Sequence, residues 1–171
     1  MPTTYNLADN NTVAAVKQIM SLYHPSLVEA GVRVGVIFAL NDTGPAVKKD
    51  GYPKGATISL VGAKDKVIKP YEAEMLIDET VWDEMNEEQR AALLDHTLSH
   101  IELTPDTKDD AELPYKLDEK GRACLRMRLG DFASSVGFND VVTRHKDNSV
   151  EMLSLNLCLK MAHRAKDKQS E

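Results

Sequence analysis

The segment Val32 to Leu40 reads VRVGVIFAL, and it constrains the fold more than any other stretch of the chain. It is nearly continuous in apolar character, rich in β-branched residues and about half the length a membrane span needs, so it predicts a buried strand at the centre of a sheet. Thr57 to Val61 and Ala73 to Ile77 extend that sheet, separated by the turn-rich Gly62 to Pro70. Apolar Val13, Val16, Ile19 and Met20 carry helical spacing over Thr12 to Tyr23, and His24-Pro25 ends that helix. Between Asn41 and Gly55, two glycines, two prolines and a lysine pair predict a long loop over a cleft. Asn86 with Gln89 three positions on forms a capping-box pattern, and the helix it opens is expected to run through Glu102. Beyond the loop Thr104 to Glu112, Leu113 to Leu117 and Ala123 to Leu129 flank the turn Asp118 to Gly121 as a hairpin. Two last helices follow, one capped by Asp131 and running toward Arg144, the other capped by Asn148 with Val150, Leu153, Leu157 and Met161 on one face. A helix, a run of strand candidates, and then helices around a hairpin read as an α+β class.

A chain of 171 residues suffices for one domain with its own core, placed here at 1–165, with a charged, disordered tail at 166–171. No apolar run is long enough for a membrane span, and the polar start shows no signal-peptide pattern, so the expected location is cytoplasmic. Cys124 and Cys158 stand alone and read as buried free thiols. Charge is uneven. From Glu72 to Glu119 there are 16 acidic residues against Arg90, Lys108 and Lys116, a balance of −13 in a chain of net charge −6. A solvated helix face and an acidic loop account for most of that block, which would also suit a basic partner. Lys120, Arg122, Arg126 and Arg128 form one small basic patch without interleaved aromatics, which argues against nucleic acid as a ligand.

The chemistry is concentrated in LLDHTLSHIEL, Leu93 to Leu103. His96 and His100 are four residues apart, so on a helix their imidazoles share a face and can hold one metal ion, zinc above all. The spacing alone is equally met by two half-buried or surface histidines. Asp95 and Glu102 flank the pair; each could accept the remaining N–H of a metal-bound imidazole, or be simply solvated on an acidic helix. His24, His145 and His163 fall into no local constellation, and no serine or glycine pattern marks a nucleophile elbow or a phosphate loop.

Three stretches, YHPSLVEAGVRVGVIFA, IDETVWDEMNEEQRAALLDHTLSHIEL and RLGDFASSVGFNDVVTRHKDNSVE, resemble in order and spacing the phage metallopeptidase family of small SprT-like zincins. That resemblance implies a single zincin-like domain, a small mixed sheet against the His-x-x-x-His helix and flanking helices, and a bacterial cytoplasm for a phage-derived protein. Two departures bear on activity. The family pattern has glutamate directly after the first histidine, where this chain has Thr97, whose hydroxyl is too weak a base to take a proton from a metal-bound water. Its third ligand is a histidine where this chain has Gly130; neighbouring Asp131 could supply a carboxylate, although its helix-cap role is the stronger reading. The expectation is therefore a divergent zinc-binding metallopeptidase-like protein without efficient peptidase activity. The alternative is a pseudoenzyme that binds a protein or peptide partner and interferes with a host process, with the acidic surface as one docking face.

Overall fold

A computed structural model describes residues 2–128 and 139–150 of the chain. Four strands make the main sheet: β1 (Thr4–Leu7), β2 (Val34–Leu40), β5 (Ala56–Leu60) and β6 (Ala73–Asp78). Their order is β1-β2-β6-β5, with β2 and β6 parallel and both outer pairs antiparallel. The sheet is thus mixed, and β5 forms one edge. Val36 and Phe38 lie opposite Met75 and Ile77, and Ile58 lies opposite Met75, so one sheet face collects the large apolar side chains. That face packs on Val16, Ile19 and Met20 of α1 (Asn10–Tyr23) and on Leu93, Leu94 and Leu98 of α4 (Glu87–Leu98). The continuous apolar run of β2 had suggested burial throughout, but Gly35 and Ile37 on its other face are only half-buried.

Two short helices, α2 (Pro25–Glu29) and α3 (Glu79–Glu84), link these layers. Pro25 occupies the first turn of α2, so the chain turns sharply at His24 without ending its helical content. Asp78 caps α3 through Val81 N–H and also accepts Ala46 N–H at 2.9 Å, which ties the segment after β2 to the end of β6. The expected loop from Asn41 to Gly55 contains a small hairpin, β3 (Lys48–Lys49) with β4 (Tyr52–Pro53). Asp50 and Gly51 both have positive φ, 53° and 83°, as a two-residue turn between twisted strands requires.

Helix α4 begins where its capping box predicts: Asn86 Oδ1 accepts Gln89 N–H at 2.9 Å and Gln89 Oε1 accepts Asn86 N–H at 3.1 Å. It ends earlier than expected, at Leu98, and β7 (Ile101–Leu103) pairs antiparallel with β8 (Leu125–Met127). The Asp118–Gly121 turn forms, with Asp118 N–H bonded to Arg122 O and Gly121 at φ 77°, and Leu117 bridges Ala123. The strand that follows nevertheless takes β7 as its ladder partner, because Ile101 and Leu103 offer a β-prone edge beside the core. Cys124 is half-buried and free. Of the final helices, α5 (Asn139–His145) is described; the cap at Asp131, the helix beyond Val150, Cys158 and the tail lie outside the described residues. Among the described residues, no helix is long and apolar enough to cross a membrane.

Candidate metal centre

The end of α4 places the histidine pair. Thr97 Oγ1 donates to Leu93 O at 2.7 Å and Ser99 Oγ to Asp95 O at 2.7 Å, side-chain bonds that compete with continuation of the helix. Ser99 N–H is shared between Asp95 O and His96 O, and His100 N–H bonds Thr97 O at 3.2 Å, the tightened geometry of a last turn. His100 consequently lies just past the helix, yet its ring returns over His96. The two Nε2 atoms stand 3.3 Å apart with ring planes at 80°.

That separation can be tested against an ion. Two imidazole nitrogens bound at about 2.0–2.1 Å to one tetrahedral zinc stand about 3.3 to 3.4 Å apart. The separation therefore matches that between two corners of such a site. The same distance suits a hydrogen bond in which one ring nitrogen donates and the other accepts, so a shared proton and a bound ion are alternatives for the pair. Among the described residues, no third His, Cys, Asp or Glu joins the pair, and Asp131 and Gly130 lie outside them. Both histidines are largely buried, 8% and 6% exposed, and line a cleft of about 110 Å³ together with Gly55, Ala56 and Ile58 of the β5 edge and Met127 of β8.

Among the described residues, the cleft side of β5 is a free strand edge. Asp78 N–H bonds Gly55 O and Val61 N–H bonds Glu72 O, so the odd-numbered residues from 55 to 61 point their backbone groups toward β6. Ala56 and Ile58 then direct their N–H and C=O outward, and among the described residues no strand pairs with that side. Thr97 is buried at 1% exposure and does not line the cleft.

Asp95 and Glu102, the two carboxylates flanking the pair, are far apart in role. Glu102 on β7 pairs with Arg126 Nε at 2.7 Å at the surface. Asp95, for which solvation was one expectation, is fully buried. Its Oδ1 accepts from His24 Nε2 and Arg144 Nη2, and its Oδ2 from His145 Nε2 and Arg144 Nε, all at 2.8 Å. Burial alone would raise its pKa, but the hydrogen bonds from His24, Arg144 and His145, helped by the Arg144 charge, hold the carboxyl far below the usual carboxylate range. Arg144 also stacks on Tyr23, and His145 meets the same ring edge-on. This corrects the expectation that His24 and His145 belong to no constellation. Asp95 joins the α1–α2 corner, α4 and α5 at one point, immediately before His96 in the chain. No local pattern announces it, since the partners are 71, 49 and 50 residues away in sequence. His163 lies outside the described residues.

Comparison with known proteins adds one finding. A model of the family described as "Putative phage metallopeptidase" matches residues 9–157, most of the chain. No curated protein and no solved structure matches.

Proposed function

Since the chain belongs to the putative phage metallopeptidase family, we propose that it binds zinc between His96 and His100, receives an extended peptide along β5, and lacks efficient peptidase activity. The 3.3 Å separation of the two Nε2 atoms at the wall of a cleft carries the metal reading. A zinc ion held there would supply Lewis acidity toward a carbonyl oxygen and an acidified water. The outward N–H and C=O groups of Ala56 and Ile58 support strand addition by an extended segment beside the ion. A zincin-like arrangement, with sheet edge and histidine helix facing each other across a cleft, agrees with this placement.

The residues around the histidine pair support the loss of efficient peptidase activity. Among its described lining residues there is no carboxylate to act as general base. Thr97, at the position of the family's glutamate, spends its hydroxyl on Leu93 O. Asp95 is enclosed by four hydrogen bonds, and Glu102 is paired with Arg126. Loss of a positioned acid-base group lowers rates by about 10²- to 10⁴-fold. The scaffold then serves better as a peptide-binding module than as a protease.

Elemental analysis of tag-free protein, compared with a His96→Ala/His100→Ala variant of matched circular dichroism, tests the metal reading. Near-stoichiometric zinc in the natural protein that disappears in the variant is expected. Background zinc in both proteins would refute it.

A further inference from the structure

We propose that the chain forms a two-fold symmetric dimer by pairing its edge strand β1 with the β1 of a second copy. The main sheet ends at β1 on one side and at β5 on the other, and β5 faces the histidine cleft. Register fixes what β1 has to offer. Ala8 N–H bonds Val36 O, so Thr4, Asn6 and Ala8 turn their backbone groups toward β2. Tyr5 and Leu7 turn theirs outward, and among the described residues no strand pairs with that side. Their side chains share the sheet face of Ile37 and Ala39, away from the layer of α1 and α4. Leu7 is 85% exposed, more than any other large apolar side chain among the described residues, and Tyr5 is exposed as well.

Charge and register select the partner. Edge strands are commonly protected by a charge, a proline or a bulge. β1 has none of these: Thr4–Leu7 is uncharged, and its ladder with β2 runs without interruption. In a two-fold antiparallel pairing centred on Asn6, Tyr5 exchanges both backbone hydrogen bonds with Leu7 of the second copy, and Leu7 does the same with Tyr5. A centre on Tyr5 or on Leu7 would instead pair the other of the two with Thr3 or Asp9, outside the strand. With the centre on Asn6, each Leu7 lies between Ile37 of its own sheet and Tyr5 of the second copy, which covers its exposed side chain. The two Asn6 amides face each other as donor and acceptor. The nearest charged side chain, Asp9, falls opposite Thr3, so no like charges meet in a chain of net charge −6. This self-complementarity favours a second copy over a foreign strand. β1 is four residues long, so the contact is smaller than a standard interface and the dimer is reversible. The joined sheet carries a β5 edge, with its histidine cleft, at each end.

Sedimentation-velocity ultracentrifugation of the full chain, from low-micromolar to near-millimolar concentration, reads the association, and a monomer–dimer equilibrium is expected. Tyr5→Lys/Leu7→Lys sets lysine opposite lysine in this register and should weaken the dimer roughly 5- to 30-fold. Tyr5→Lys/Leu7→Glu sets lysine opposite glutamate and should restore the dimer at low salt, each variant at unchanged circular dichroism. Under mild oxidation Asn6→Cys should crosslink two copies, because residues at a non-hydrogen-bonded pair stand about 4.5 Å apart at Cα, whereas Thr4→Cys should not. A chain that stays monomeric at every concentration would overturn the proposal and leave the edge to a foreign strand. A dimer indifferent to both charge variants, or equal crosslinking at the two cysteine positions, would overturn it in favour of another surface.

Discussion

Replacing Asp95 by Ala removes the one acceptor shared by His24, Arg144 and His145. Breaking a buried pair from one side costs about 3–5 kcal/mol, because the remaining charge and donors are stranded. Here the two imidazoles are enclosed, with side chains 13% and 9% exposed, whereas Arg144 at 27% can turn partly to water. The lower end, about 3 kcal/mol, is therefore expected, and for a chain of this size it lowers Tm by roughly 6 to 12 °C. Urea denaturation and thermal melts of Asp95→Ala against the natural protein measure it. The pH dependence supplies a second readout. Because the folded carboxyl has a depressed pKa, its contribution is fully present above the unfolded value of about 3.9 and declines as pH falls toward the folded one. Asp95→Ala should thus fall less steeply than the natural protein on acidification below about pH 4. A loss under about 1 kcal/mol, the scale of a surface ion pair, with parallel acid limbs, would refute the picture of a buried junction between three helices.

The close contact of Gly35 with Tyr71 gives another test: a Cβ at Gly35 would stand 2.6 Å from the Tyr71 ring, so Gly35→Ala should cost about 1–3 kcal/mol. Most of that loss should vanish when Tyr71→Ala is already present, as a double-mutant cycle by urea denaturation would show. Asn86→Ala breaks the capping box that opens α4 and should cost about 0.5–2 kcal/mol by the same assay, whereas Asn86→Ser should recover most of it. Zinc affinity should fall as pH is lowered, because the ion takes only unprotonated imidazoles, and titration calorimetry across a pH series would show it.

Hydrophobic pattern located β2, β5 and β6 to within a residue or two, since each is long enough for its side chains to declare a buried face. It also placed α1 and the start of α4, where Asn86 and Gln89 carry a local chemical signal. The end of α4 was harder. Helical apolar spacing continues through Ile101, and only the side-chain bonds of Thr97 and Ser99, with the pull of β8, stop it at Leu98. The β3–β4 hairpin did have a readable mark, Asp50-Gly51, hidden among other turn residues. β1 (Thr4–Leu7) is four exposed residues without periodicity to find. Of the site, the His96/His100 spacing was legible because the two histidines are only four residues apart in sequence. The Asp95 junction was not, since a contact among residues 24, 95, 144 and 145 exists only after the sheet and helices are assembled.

Zinc X-ray absorption spectroscopy on the reconstituted full chain decides whether one metal ion binds between His96 and His100. Two imidazole nitrogens at about 2.0–2.1 Å are expected, lost together in His96→Ala/His100→Ala. Zinc that fails to bind, or that shows sulfur at about 2.3 Å and an unchanged spectrum in the variant, would contradict it.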